Sequence, residues 1–461
     1  MSVPSSREAN IPELQARIAL LQLCNKTPSP PTEHLPHDIA INSSSRILPF
    51  IKEKELVKTL AFLASTTDDP GRVVAVCVEE GRDGRSMTIK LAINNGGLVD
   101  VVKGFKKMGE ILQRIAQKDD IADISESNLL REAVRLNQCR VLCRLKSKHA
   151  VLKCRNGKAK MEKPKVIPTL AQAIAAFGSS TIGELPSEEG QQLKENVGEM
   201  KRLFERLEIL TKADATSEQG MRILSDIILA AHRLYRSNAL HPLLNLCRFE
   251  DEQKSAIRRT IDKLSRYSTA SAFLFEAASR FYIFRNITVQ VVKLPPKPML
   301  RVDEPALYVN GVVSGLFSQQ QAQHAISRFR DRLKKKKVNH NKFCELVFST
   351  KYVVHAEMQL LFHYELHACT FPPRVICSGK MACFLCSLFL KQHGKFYIPS
   401  THGRVYEKWI LPKCLGDLQG AIADQMLPIV SKFNAALEEV LKREILTPSK
   451  TIPQPNESHI F

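Results

Sequence analysis

One tryptophan and a 7% share of aromatic residues are all the large rings in this chain of 461 residues. A platform for single-stranded nucleic acid needs several exposed rings to stack on, so that class of binding protein is disfavoured. No run of about 18 apolar residues occurs, which argues against a membrane-spanning helix. The start, MSVPSSREANIPELQ, has no basic segment followed by a long apolar core and does not read as a secretory signal. The expected compartment is therefore cytoplasmic or nuclear. No internal repeat is present, and no H-E-x-x-H that would point to a metalloprotease. Twelve cysteines in a chain this long are too sparse for a disulfide scaffold. Most read as buried thiols in a reducing compartment.

What the chain has in excess is positive charge, a formal net +20. An intracellular protein this basic is expected to meet an anionic partner, and nucleic acid is the commonest one. The densest stretch is 140–165, with ten Lys or Arg against one Glu. It reads as a phosphate-contacting face or as a solvated hairpin or linker. Lys334–Lys337 close a polar helix expected over 318–336, and cations suit that end of a helix. Cys139 and Cys143 have no second Cys or His pair at finger spacing, so they read as ordinary thiols.

Composition and periodicity divide the chain. Residues 1–45 are rich in Ser and Pro and read as a flexible tail with at most a short helix at 11–24. Residues 46–250 read as a mostly helical α+β region. It has a helix at 52–65, strands at 72–79 and 86–93, an amphipathic helix at 98–118 and long helices at 188–212 and 217–236. A further domain is expected over 251–415. It opens with a helix at 252–282 and a strand at 286–294, and holds an insertion at about 297–340 that looks irregular up to 316. Strands follow at 343–354 and 374–378. A C-terminal helix and tail fill 416–461.

The chemistry is concentrated in His355–Cys386, HAEMQLLFHYELHACTFPPRVICSGKMACFLC. His355 and Glu357 stand two apart, and Cys383 and Cys386 form the chain's C-x-x-C. One imidazole and two thiolates with a nearby carboxylate make the ligand set of a Zn2+ site that activates water. Residues i and i+2 diverge inside a helix. His355 and Glu357 can converge only at a helix start entered from an extended segment. Cys383 and Cys386, three apart at the start of the next helix, share one face, and a helix N-terminus favours thiolates. Three protein ligands leave a fourth position for water. Glu357, beside the metal and not bound to it, is the candidate proton shuttle.

Other residues carry competing readings. His363 and His367 are spaced for a metal but lack an evident third ligand, so ordinary packing is preferred. Cys377 could close the site as a fourth ligand, but its strand position favours a core thiol. Cys414 reads as inert. Lys380, His402 and Trp409 are candidate pocket residues; the plain alternatives are a loop residue, a turn residue and a core ring.

The H-x-E…C-x-x-C pattern resembles the zinc deaminases of the cytidine-deaminase-like superfamily. More narrowly it resembles a mostly fungal deaminase family that pairs an HAE helix with Ser-Lys-x-x-Cys-x-x-Cys, Thr-His-Gly and Trp-x-x-Pro. Here these are His355-Ala356-Glu357, Gly379-Lys380-Met381-Ala382-Cys383-Phe384-Leu385-Cys386, Thr401-His402-Gly403 and Trp409-Ile410-Leu411-Pro412. Ala382 stands where the superfamily has Pro, and Gly379 where the narrower family often has Ser. The resemblance implies an α/β fold, an α-β-α sandwich, for the C-terminal domain. It also implies hydrolytic deamination of a nucleobase in nucleic acid or nucleotide, with His355, Cys383 and Cys386 on zinc. A zinc-stabilised nucleic-acid-binding module without catalysis is the alternative.

Overall fold

The computed structural model describes residues 10–34, 46–69, 71–118, 125–150, 166–176, 187–237, 240–246, 249–294, 302–367, 369–412 and 420–447. Helices dominate, with one small four-stranded sheet and a two-stranded ribbon. The chain forms two compact units. The first is assembled from Met1–Ala64, Asp69–Leu98 and Val289–Phe461, the second from Ser65–Asp68 and Val99–Thr288. The second unit is thus an insertion in the sequence of the first. This differs from the expected order of a region at 46–250 followed by a separate domain at 251–415.

Before the insertion run α1 (Ile11–Cys24), β1 (Thr32–Glu33), α2 (Phe50–Ala64), β2 (Val74–Glu80) and β3 (Ser86–Ile93). The Asn10 side chain accepts the Glu13 N–H at 3.2 Å and caps α1. That helix is apolar around most of its circumference, and such a helix belongs in a core. Leu14, Ile18, Leu20 and Leu21 are buried accordingly. Residues 11–24 are therefore a core element rather than part of a flexible tail; residues 1–9 and 35–45 lie outside the described residues. β2 and β3 pair antiparallel from Val74↔Ile93 to Glu80↔Met87. Gly84 turns the hairpin at φ +63°, a conformation glycine adopts without strain.

The second unit comprises α3 (Val99–Gln117), α4 (Glu126–Leu145), α5 (Val166–Ala176), α6 (Ser187–Ile209), α7 (Lys212–Thr216), α8 (Glu218–Arg236), α9 (Leu240–Leu246) and α10 (Asp251–Arg280). The expected stripe on α3 is buried at Val101, Phe105, Met108, Leu112 and Ile115. α10 opens on a capping box between Glu250 and Gln253. Two arginines in the described part of the basic stretch turn inward. Arg140 donates to Asp68 at 2.9 Å and to the Ser65 carbonyl at 2.5 Å, and Arg144 to the Lys263 carbonyl at 3.0 Å. These two arginines bind the second unit together; residues 151–165 lie outside the described residues.

The chain returns through β4 (Asn286–Val291), which straddles the division. It continues with α11 (Pro305–Gly315), α12 (Gln319–Lys335), α13 (His340–Ser349), α14 (Ala356–Leu366), β5 (Cys377–Ser378), α15 (Phe384–His393), β6 (Ser400–Thr401) and α16 (Gly420–Leu446). The sheet order is β4-β3-β2-β5, and β1 pairs with β6. Every side chain of β2 is buried except Glu79, so both of its faces are covered. α14 packs on β2, β3 and β5, and α2 on β2 and β5. Two expectations fail here. Residues 343–354 contribute α13 and only an isolated bridge at Val353, because Asn339 caps a helix on which Cys344, Val347 and Phe348 recur at helical spacing. The stretch expected to be irregular up to 316 contains α11. Among the described residues no helix is long and apolar enough to cross a membrane.

Two buried cations tie this frame together. Arg332 of α12 donates to the carbonyls of Cys24 at 3.0 Å, Glu444 at 2.6 Å and Thr447 at 2.5 Å. It thereby satisfies the free C-terminal carbonyls of α1 and α16 together. Lys336, from the Lys334–Lys337 run, donates to the Leu23 carbonyl. Arg374 donates to Glu53 of α2 at 2.5 Å, while Glu53 also accepts the backbone N–H of Arg374 at 2.7 Å and of Val375 at 3.2 Å. The pair is almost wholly buried, at 5% and 1% side-chain exposure. Removing one member strands the other's charge, so Glu53→Ala should destabilise the protein by about 3–5 kcal/mol in a urea titration. A loss below about 1 kcal/mol would show that the pair does not hold β5 in place.

Candidate metal centre

The segment Tyr352–Val354 approaches α14 in extended form. The Val353 N–H donates to the Lys408 carbonyl at 2.7 Å, and the Val353 carbonyl accepts from Ile410 at 3.2 Å. His355 follows as the N-cap of α14, with extended backbone at φ −64° and ψ 149°. The first N–H groups of a helix lack internal partners. Here Asn94, just past β3, accepts the Ala356 N–H on its Oδ1 at 2.7 Å, and Gln359 Nε2 donates to the Ile93 and Val354 carbonyls at 2.9 Å. The end of β3 therefore sets where α14 begins. Cys383 is likewise the N-cap of α15, and its Sγ accepts the Cys386 N–H at 3.4 Å.

These two helix starts meet. His355 Nδ1 lies 3.5 Å from both Cys383 Sγ and Cys386 Sγ. All three donor atoms fall within 4.8 Å of one another, and among the described residues no other group of this kind forms. One imidazole nitrogen and two sulfurs suit a borderline-soft ion such as zinc and leave a position open. Burial opposes ionisation of Cys383, but the Cys386 hydrogen bond and the His355 imidazolium outweigh it and hold that thiol well below its ordinary range. Burial, reinforced by the Cys383 thiolate, drives Cys386 well above it.

Glu357 sits at the second helical position of α14 and is buried. Its Oε1 lies 2.6 Å from Ser378 Oγ and its Oε2 3.8 Å from Cys386 Sγ. Burial raises its pKa, with His355 acting the other way. A cavity of about 340 Å³ opens over the group, lined by His355, Glu357, Cys383, Lys380, His402 and Tyr406 among others. Lys380 and His402 are thus cavity-lining residues. Trp409 does not line that cavity; it is a fully buried ring whose indole N–H donates to Cys386 Sγ at 3.3 Å. Cys377 stays outside the donor group: its thiol donates to the Ser378 carbonyl at 3.5 Å, and burial pushes its pKa up to about 12. His363 and His367 stack on each other at 4.6 Å, and Lys90 donates to His363 Nε2 at 3.0 Å, a packing role. Cys414 lies outside the described residues.

Residues 354–413 match the model of a deaminase family, OTT_1508_deam. The matched segment contains all three donors, Glu357, Ser378 and the cavity-lining residues Lys380 and His402. No curated protein and no solved structure matches the chain. Ser378, Asn94 and Tyr406 were missed in the sequence. Ser378 had a signal: it stands one residue before Gly379, the position where the resembling family often has Ser. Asn94 had none, since its Asn-Asn-Gly-Gly context reads as a turn and its partner is 262 residues away.

Metal analysis of the purified protein should find one ion per chain, and a Cys383→Ala/Cys386→Ala double variant should lose it. Full retention of metal by that variant would place the ion elsewhere.

Proposed function

We propose that this chain is a zinc-dependent hydrolytic deaminase acting on a nucleobase, free as a nucleotide or within nucleic acid. His355, Cys383 and Cys386 are the residues that would hold zinc, which when bound supplies the Lewis acidity that makes water a nucleophile at neutral pH. In the net reaction a C–O bond forms at the amidine carbon, the C–N bond breaks, and ammonia leaves. Glu357 takes a proton from the attacking water and delivers it to the departing amine.

The observation that carries this reading is how Glu357 is held. A hydroxyl has one proton to donate. Ser378 Oγ lies 2.6 Å from Glu357 Oε1 and 2.8 Å from the Lys380 carbonyl. When Glu357 is ionised, Ser378 donates to it. Protonation falls on Oε2, the oxygen on the Cys386 side, while Ser378 stays against Oε1. The carboxyl can therefore gain and lose a proton without moving, as a shuttle must. Burial favours the protonated form of the carboxyl.

The test is an ammonia-release screen over bases, nucleosides, nucleotides, DNA and RNA. Glu357→Ala should keep the fold and the metal while lowering release by about 100-fold or more. Undiminished release by that variant would exclude the shuttle. Salt-dependent nucleic-acid binding without ammonia release from any substrate would favour a non-catalytic binding module instead.

A further inference from the structure

Trp409 is the one tryptophan of the chain and is fully buried. Burial alone asks only for a ring, and its ring is well provided: it packs on Phe433 of α16 with centroids 5.6 Å apart. The indole N–H is another matter. It is a donor with no acceptor function, and a buried donor left unmade is costly. Here it is satisfied by a sulfur, Cys386 Sγ at 3.3 Å. The backbone on either side of the ring is pinned as well. Lys408 and Ile410 bond to Val353, two residues before His355, so the N–H is aimed from the segment that also feeds the imidazole. Cys386 is thus held from two sides, by its own N–H on Cys383 Sγ and by the indole on its sulfur.

We infer that Trp409 is a positioning residue of the metal centre: its indole N–H orients the Cys386 sulfur and draws electron density from it, leaving the metal a stronger Lewis acid. The inference rests on the zinc reading of the site. Partners one shell out from a metal fix ligand orientation and tune the ion, and hydrogen bonding around a ligand sulfur is one means of doing so. Phenylalanine would fill the same core but supply no donor.

Cobalt(II) in place of zinc makes the thiolate bonds visible as a charge-transfer band in the full-length protein. Removing the N–H in Trp409→Phe leaves the sulfur more electron-rich, so the band should move to longer wavelength. Chelator competition should show zinc affinity weakened about 10-fold or more. Phe433→Leu loosens the packing of the same ring but keeps the N–H, and its band should stay at the wild-type position. An unmoved band in Trp409→Phe, or an equal shift in both variants, overturns the assignment. Should Trp409→Phe fail to fold, the wild type suffices. Its single indole proton gives one NMR signal, which must move when zinc is loaded; indifference to zinc overturns the assignment as well. A protein that takes up no metal would show no band in any variant, and the zinc reading would fall together with the role of Trp409. A metal-loaded protein with the expected band shift but no ammonia release would leave Trp409 in place and remove the deaminase reading alone.

Discussion

His355 Nδ1 lies 3.5 Å from two cysteine sulfurs, and those atoms come from two different helix starts. A helix start is a demanding thing to bury, because its first N–H groups face outward without partners. Bringing two together means finding acceptors for both in a space that also excludes bulk. The protein solves this with side chains already needed nearby. Asn94 serves α14, and the sulfur of Cys383 serves α15. Cys383 and Cys386 therefore cannot drift apart without also uncapping α15. Metal geometry and helix capping are the same constraint seen from two sides.

That constraint reaches outward through buried polar contacts. Ser378 can hold Glu357 only if β5 keeps its register against β2, with Ala75 opposite Ser378. The chain entering β5 is fixed by Glu53, a carboxylate that takes two backbone N–H groups and a guanidinium at once. Buried ion pairs add little net stability over well-packed apolar residues, since desolvation absorbs most of the attraction. They do penalise any other register, which would strand a charge. Arg332 plays the corresponding part for α1 and α16 by gathering carbonyls from the ends of both.

Much of this was legible from residues alone. The demand that His355 and the cysteine pair sit at helix starts followed from side-chain directions, and both positions are N-caps in the structure. Helices α3, α6, α8 and α10 of the second unit lie close to where periodicity put them, whereas α4, α5, α7 and α9 carried no expectation. The source of the strands was not legible. A strand run announces its conformation through local pattern, but its partner lies far along the chain. The hairpin at 74–93 therefore looked like part of a separate region, although it forms the middle of the sheet under α14. At 343–354 apolar and β-branched residues suggested strands, and a single asparagine cap with buried residues at helical spacing prevailed. For 11–24 a short helix was expected, but Ser- and Pro-rich flanks hid that it is apolar nearly all round and lies in the core. Trp409 was taken for a pocket candidate or a core ring. Its link to Cys386 depends on where one indole nitrogen points, which no sequence pattern encodes.

The insertion of the second unit after β3, ending inside β4, has a consequence for synthesis. The halves of the centre leave the ribosome in two instalments: Glu53, the β2–β3 hairpin and Asn94 come first. His355, Ser378, the cysteines and Trp409 follow only after residue 288. At ~5–20 residues per second the interval is tens of seconds. Throughout it the hairpin has neither β5 along β2 nor β4 along β3, and unpaired strand edges are templates for wrong partners. The nascent chain carries this hairpin without its edge partners while a whole helical unit is made. Protection of that hairpin during translation is a cost this topology imposes on the cell that makes the protein.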